Sequence, residues 1–243
     1  MKAIQLILIT LTALSGCTKK DLPPVTPKST DTTTTIKPMA GPITYLALGD
    51  SYTIGERVPQ IQSFPYQLTA KLNTFNLDVQ TPDIIAVTGW TTDNLINAID
   101  RSDFKDKQYD FVTLLIGVND QYQHLSKDNY RTKFAQVLHR AIKFAKGDTS
   151  KVFVVSIPDW GVTPFAGGRD SVIGPDIDEF NAINKEETAK AHVPNYIDIN
   201  PVSKQAATDL TLVADDGLHP SGAMYKLWVD ALVPEVRKRL QQN

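Results

Sequence analysis

The chain is poor in three things, and each shortage excludes a class of function. Its 243 residues include a single cysteine, which excludes an internal disulfide and a cysteine-based zinc cluster. Its four histidines show no paired spacing, so we expect no metal and no cofactor. Lysine and arginine number 25 against 27 acidic residues, for a net charge of −2. Without a basic block to neutralise several phosphates on one face, we expect no nucleic-acid partner.

The apolar run at the start of the chain is too short to cross a bilayer. Ala3–Leu14 spans about 12 residues, whereas a bilayer core needs about 20. Lys2 precedes the run and small residues follow it, which is the layout of a secretory signal. The ending Leu14–Cys17 resembles the lipobox of bacterial lipoproteins. This resemblance implies a signal peptide over residues 1–16 and a lipidated Cys17 that anchors the protein to a membrane of the bacterial envelope, on its periplasmic or outer-membrane face.

Residues 17–42 predict a solvated tether between that anchor and the rest of the chain. The segment is rich in threonine and has few apolar side chains, and five prolines lie within it: Pro23, Pro24, Pro27, Pro38 and Pro42. A segment of this composition buries too little apolar surface to offset the conformational entropy that it would lose on folding. We therefore expect one folded domain over residues 43–243.

Five short apolar runs predict the strands of that domain. They are continuous rather than alternating, as in strands covered on both faces: Ile43–Leu48, Ile84–Val87, Phe111–Ile116, Val152–Ile157 and Tyr196–Ile199. Helical spacing lies between and after them, at Phe134–Ala145, Asp178–Ala191 and Tyr225–Leu240, the last with a kink expected at Pro234. We expect a three-layer α/β/α sandwich around a mostly parallel five-stranded sheet, with the chemistry at the carboxyl ends of the strands.

The segments after the predicted strands carry a possible acyl-transfer site. A serine hydroxyl becomes a nucleophile when a base takes its proton and an acceptor orients that base. Ser51 follows the first strand, and Asp216 and His219 stand three residues apart in a late loop. Gly89 and Asn119 follow the second and third strands. A glycine backbone and an asparagine amide are suitable donors to a developing oxyanion.

These segments resemble the ordered blocks of the SGNH, or GDSL, hydrolase family over about residues 43–240. The blocks are Gly49–Ser51, Gly89, Gly117–Asp120 and Asp216–His219. The resemblance implies a flavodoxin-like fold, with Ser51 as nucleophile, His219 as base and Asp216 as its partner. It also implies an oxyanion hole of the Ser51 and Gly89 N–H groups and the Asn119 amide. The Gly-x-Ser-x-Gly elbow does not fit, because Thr53 occupies its last position.

Each candidate also has a simpler interpretation. Ser51 is a favoured helix cap, and Gly89 and Asn119 are common in turns. Asp120 is expected to support the structure rather than take part in catalysis.

Two residues compete with members of the triad. Asp215 lies beside Asp216 and can also neighbour a loop histidine, although the family spacing favours Asp216. His124, shortly after the third strand, is the rival base to His219.

Four aromatic residues follow strand ends and predict the walls of a substrate pocket: Tyr52, Trp90, Tyr122 and Trp160. The alternative is that these rings hold the loops onto the sheet. Pro158–Pro175, which contains four glycines, is long for a connection and is predicted to be a specificity loop.

The sequence thus predicts a lipid-anchored, extracytoplasmic serine esterase acting on a small ester of a lipid or an acylated glycan. A lysophospholipase or thioesterase, a carbohydrate acetylesterase and a general short-chain esterase are the alternatives within enzymes. A binding lipoprotein that has lost catalysis is the alternative from another class. The intact Ser51, Asp216 and His219 argue against it.

Overall fold

The computed structural model describes residues 41–241, in which five parallel strands form the sheet. The strands are β1 (Tyr45–Gly49), β2 (Asp83–Ala86), β3 (Phe111–Leu115), β4 (Val152–Val155) and β5 (Asn195–Ile197). Their order across the sheet is β2–β1–β3–β4–β5, and every neighbouring pair is parallel. The predicted five-stranded parallel sheet is confirmed. The predictions of a signal segment, of a lipidated Cys17 and of a tether concern, up to residue 40, residues outside those described.

The central strands are apolar along their whole length because helices cover both faces of the sheet. Every residue of β1, β3 and β4 is buried, and the Tyr45 and Phe111 rings stack with centroids 4.2 Å apart. A strand exposed on one face would instead alternate polar and apolar residues. The core therefore lies on both sides of the sheet.

Eight α-helices occur within the described residues. They are α1 (Ser51–Ile54), α2 (Phe64–Asn73), α3 (Thr92–Arg101), α4 (Val118–Tyr122), α5 (Lys127–Phe144), α6 (Asp170–Lys190), α7 (Asn200–Ser203) and α8 (Gly222–Gln241). Helices α2 and α8 pack together, and α5 packs between α3 and α6. Short 3₁₀ turns complete the connections at Gln60–Gln62, Thr149–Lys151, Trp160–Val162, Pro164–Ala166, Lys204–Ala207 and Leu210–Leu212.

The direction in which the chain adds strands to the sheet reverses at β1, although all strands run parallel. The chain moves from β1 outward to β2, then crosses back to β3 on the other side of β1. The loops leaving β1 and β3 therefore diverge and open a crevice at the carboxyl edge, which is where such sheets bind ligands. Ser51 and Asn119 lie in the segments that follow these two strands.

One prediction about the helices is corrected by the structure. Helix α6 begins at Asp170, not Asp178, so the second part of the predicted 158–175 loop is helical and Pro175 lies within the helix. Helix α8 contains Pro234 and ends at Gln241. Over the described part of the chain, no helix combines the length and the apolar character needed to cross a membrane.

Candidate active site

Ser51 lies at the start of α1, directly beyond the end of β1. The Asp50 side chain caps this helix, since its Oδ1 accepts a hydrogen bond from the Tyr52 N–H at 3.0 Å. Gly49 is required at the strand end because a Cβ there would overlap the Thr53 side chain and the Leu115 carbonyl. The resulting tight turn holds Ser51 at 5% exposure at the carboxyl edge. The cap is Asp50, so Ser51 does not serve as the helix cap.

A self-contained loop presents His219. The Asp216 Oδ1 accepts hydrogen bonds from the backbone N–H groups of Leu218 and His219, at 2.9 and 3.0 Å. The Asp216 Oδ2 lies 2.5 Å from Nδ1 of the His219 ring. An antiparallel bridge between Val213 and Pro220 closes the loop. Asp216 thus shapes the loop with one oxygen and orients the imidazole with the other.

The fold brings Ser51 and His219 into contact although 168 positions separate them in sequence. The Ser51 Oγ lies 3.0 Å from Nε2 of His219, so one imidazole joins the hydroxyl to the Asp216 carboxylate. Asp215 instead forms a two-bond ion pair with Arg57, both bonds at 2.9 Å. The structure therefore places Asp216 against the histidine, and Asp215 away from it.

Electrostatics at Asp216 favour its ionised form. Partial burial raises the pKa of this carboxyl, but the hydrogen bonds from the His219 ring and from two backbone N–H groups outweigh burial and leave the pKa below its ordinary value. An ionised carboxylate at this position stabilises a positive charge on the imidazole ring.

The predicted oxyanion donors meet at the same pocket. Ser51, Gly89 and Asn119 all line it. Gly89 has φ of +81°, a conformation that glycine adopts without strain. The Asn119 Nδ2 donates to the Trp90 carbonyl at 3.0 Å, which fixes the amide and leaves its second N–H for another acceptor. Within residues 41–241, the backbone N–H groups of Ser51 and Gly89 donate to no protein acceptor.

Asp120 holds the two loops of this site together. Its carboxylate is buried and accepts hydrogen bonds from the Thr92 N–H at 2.9 Å and the Thr92 Oγ1 at 2.6 Å. Burial raises the pKa of Asp120 despite these bonds. Because Asp120 and Asn119 are neighbours on α4, the tie to Thr92 positions Asn119 beside the Gly89 turn.

The site opens into a pocket of about 200 Å³. Three of the four predicted aromatic residues, Tyr52, Tyr122 and Trp160, line it. Sequence reasoning missed four further lining residues: Thr88, Val118, Phe165 and Leu218. Leu218 lies next to His219, and Phe165 lies in the predicted specificity segment. Their closeness in sequence to these features is the one sign by which they could have been predicted to line the pocket.

The prediction that the Trp90 ring lines the pocket is wrong. Its ring is half-buried and packs against the apolar core, and it is not among the pocket-lining residues. The reason is that Thr91 caps α3 in a reciprocal box with Asn94, so the chain turns into the helix immediately after Trp90. The contribution of Trp90 to the site is its carbonyl oxygen.

The position of His124 decides against it as the catalytic base. His124 is exposed and is not among the residues that line the pocket. In the part of the chain that the structure describes, no cluster of three or more histidine, cysteine or acidic side chains is arranged to hold a metal ion.

A serine, a histidine and an aspartate in contact at the carboxyl edge of a parallel sheet are the arrangement of a serine hydrolase. The family model of the GDSL-like lipase/acylhydrolases matches residues 47–227. The chain therefore belongs to this family, and it is a serine hydrolase that acts on ester bonds. A comparison with curated protein sequences gave no match.

Solved structures share the fold at low sequence identity. An esterase, EstA, from Pseudoalteromonas sp. is 15% identical with a TM-score of 0.63, over 82% of this chain and 99% of that one. An acetylxylan esterase from Geobacillus stearothermophilus is 16% identical with a TM-score of 0.64, over 80% and 94%. A lipase/acylhydrolase from Enterococcus faecalis is 20% identical with a TM-score of 0.64, over 81% and 96%. At these identities the likeness establishes the fold.

Proposed function

We propose that the protein is a lipid-anchored, extracytoplasmic esterase that cleaves small carboxylic esters through an acyl intermediate on Ser51. The observation that carries this proposal is the pair of contacts made by one imidazole. Its Nε2 lies 3.0 Å from the Ser51 Oγ, and its Nδ1 lies 2.5 Å from the Asp216 carboxylate. A hydroxyl, a base and an orienting carboxylate are the parts that nucleophilic acyl transfer requires.

The proposed reaction has two halves. The Ser51 oxygen attacks the ester carbonyl carbon while His219 takes the hydroxyl proton, and the tetrahedral intermediate forms. This intermediate collapses as His219 returns the proton to the departing alcohol, leaving an acyl-serine. Water then attacks the acyl carbon with His219 as base, and the acid leaves while Ser51 regains its proton. Asp216 stays ionised throughout and stabilises the imidazolium.

The oxyanion of both intermediates would lie against the Ser51 and Gly89 N–H groups and the free Asn119 amide hydrogen. These donors are fixed before substrate binds, because Asn119 is held by the Trp90 carbonyl and Asp120 is tied to Thr92. Donors already oriented toward developing charge need no rearrangement during the reaction.

The size of the pocket favours a short acyl group. Its volume of about 200 Å³ lies below the about 300–1,000 Å³ typical of pockets that enclose whole ligands. Similarity to a structure described as an acetylxylan esterase supports the same view. The lysophospholipase and thioesterase alternatives require a longer acyl chain than the catalytic pocket alone encloses. A series of p-nitrophenyl esters from acetate to palmitate would separate them, with acetate or butyrate the preferred substrate.

The direct test is the variant Ser51→Ala assayed on p-nitrophenyl acetate. We expect hydrolysis to be nearly abolished, because the Ser51 hydroxyl is the one that contacts the His219 base. Ser102→Ala is the matched control, since Ser102 directly follows helix α3 and its hydroxyl donates to the Ile99 carbonyl. Hydrolysis retained in Ser51→Ala would refute the proposed nucleophile.

The anchor is proposed from the sequence alone. Leu14–Cys17 has the form of a lipobox, and the proline- and threonine-rich segment after it would hold the domain away from the membrane. An envelope location would give the enzyme access to esters of envelope lipids or glycans.

A further inference from the structure

A second and larger groove adjoins the catalytic pocket. Its volume is about 640 Å³, within the about 300–1,000 Å³ range of ligand sites. Three aromatic rings, those of Tyr122, Trp160 and Phe165, line both cavities. The two cavities therefore meet at these rings, and a molecule with its ester at Ser51 would extend past them to enter the groove.

The shared rings form one cluster with exposed faces. The Tyr122 centroid lies 5.6 Å from that of Trp160 and 6.5 Å from that of Phe165, and Trp160 and Phe165 are 6.0 Å apart. Trp160 is buried, whereas Tyr122 is 50% and Phe165 is 45% exposed. Two half-exposed rings supported by a buried one offer flat apolar surface at the mouth of the active site.

Hydrogen bonds hold this wall in place. The Trp160 indole N–H donates to Gln121 Oε1 at 2.9 Å, and Gln121 Nε2 donates to the Asp176 carboxylate at 2.8 Å. The Phe165 N–H donates to the Gly217 carbonyl at 2.9 Å, in the loop that carries His219. The wall is thus ordered before a ligand binds, which lowers the entropy lost on binding.

Beyond the rings the groove is mixed, with apolar Val172, Ile173 and Pro175 beside several polar and charged side chains. His124, Arg169, Asp176 and Glu179 line it, and Lys127 bridges the Asp176 and Glu179 carboxylates at 2.6 and 2.8 Å. Pro175, also in the lining, has no N–H to donate along helix α6, so the carbonyl one turn earlier lacks its usual helical partner. The groove therefore combines ring faces with several hydrogen-bonding groups.

We propose that this groove binds the sugar units of an acylated oligosaccharide whose ester lies at Ser51. This inference rests on the proposed esterase function and names its substrate class. A hydrocarbon chain in the groove would strip water from the guanidinium and carboxylate groups without replacing their hydrogen bonds, which is unfavourable. A sugar presents apolar C–H faces to the rings and hydroxyls to the charged groups, so it satisfies both kinds of surface.

Two comparisons test the proposal with the full-length protein. The first compares O-acetylated xylose with O-acetylated xylotetraose, because only the longer substrate reaches the groove. The second compares Val172→Trp with the matched control Val172→Ala. Val172 lines the groove, does not line the catalytic pocket and is 70% exposed, so a bulky side chain there obstructs the groove without disturbing the core.

We expect kcat/KM to be about tenfold higher for the tetrasaccharide than for the monosaccharide, which is the worth of one or two extra hydrogen bonds. Val172→Trp should abolish this advantage while p-nitrophenyl acetate hydrolysis stays at the wild-type rate, and Val172→Ala should keep it. Equal kcat/KM for the two sugars in the wild type would overturn the proposal. So would a preference for p-nitrophenyl palmitate that Val172→Trp removes, since the groove would then hold an acyl chain.

Failure of the groove and failure of the esterase proposal give different results. Absence of p-nitrophenyl acetate hydrolysis by the wild type would count against the esterase function alone. Calorimetry of xylotetraose binding then tests the proposed sugar site in the groove independently of catalysis. Weaker binding to Val172→Trp than to Val172→Ala supports it, and equal binding contradicts it.

Discussion

At the scale of single residues, Asn119 is the donor whose role is easiest to isolate. Its amide is held by the Trp90 carbonyl at 3.0 Å and takes no part in the contact between Ser51 and His219. We expect Asn119→Ala to lower kcat on p-nitrophenyl acetate about 100- to 1,000-fold, the usual cost of one oxyanion donor. The thermal midpoint should change little, because one hydrogen bond is lost at a half-buried position. Gln123→Ala is the control, because Gln123 is exposed and directly follows the same helix. If Asn119→Ala and this control have equal turnover, Asn119 is not a donor to the oxyanion.

Asp50, next to the nucleophile, gives a prediction about pH and stability. Burial raises the pKa of this carboxyl from 3.8 to about 8, and its Oδ2 has no hydrogen-bond partner in the described part of the chain. The folded protein therefore keeps a proton that the unfolded chain releases above pH 4. Since the folded pKa is the higher one, stability falls as pH rises from about 4 to about 8.

The variant Asp50→Asn tests this dependence, because asparagine cannot ionise but still accepts from the Tyr52 N–H. Between pH 5 and pH 8 the free energy of unfolding of the wild type should fall on the order of 4 kcal/mol more than that of the variant. Urea denaturation at the two pH values measures the difference. Parallel curves for the two proteins would show that Asp50 does not hold the proton.

At the scale of secondary-structure elements, the turn from β3 into α4 positions the oxyanion donor. Gly117 at this turn has φ of +130°, and a Cβ there would overlap the Tyr130 hydroxyl. Gly147 has φ of +81° but open space around it. We expect Gly117→Ala to lower the free energy of unfolding by about 2–4 kcal/mol, through both strain and overlap. Gly147→Ala should cost about 1–2 kcal/mol from strain alone; equal losses in urea denaturation would argue against a close-packed turn.

The elements also show what sequence can predict and what it cannot. Continuous apolar runs predict all five strands, and polar residues after the first and third strands predict Ser51 and Asn119. His219 is found by its spacing from Asp216 in a late loop, so each of these features depends on a local pattern. The start of α6 was misplaced since Gly174 and Pro175 resemble loop sequence, yet neighbouring packing keeps them helical. The direction of the Trp90 ring depends on the capping box of α3, and the Phe165 contribution depends on its contact with Gly217. The capping box is a local motif that the sequence carries at Thr91 and Asn94, whereas the Phe165 contact is tertiary and has no local signature.

At the scale of the whole molecule, the proposed anchor and the catalytic domain should be separable. In Cys17→Ala expressed in a bacterial host, we expect the protein to move from the membrane fraction to the soluble fraction, because the lipid acceptor is gone. Activity per molecule on p-nitrophenyl acetate should stay the same, since the active site is built from residues 49–219. Immunoblots of the two fractions measure the distribution. Wild-type protein that is already soluble would contradict the proposed lipidation.

The central claim is that the fold makes one serine a nucleophile by placing it against His219. The most direct test is to treat the full-length protein with a fluorophosphonate, which reacts with activated serines, and to map the adduct by mass spectrometry. We predict one adduct per chain, on the peptide that contains Ser51, and none in Ser51→Ala. An unlabelled wild-type protein, or an adduct on a different serine, would contradict the account.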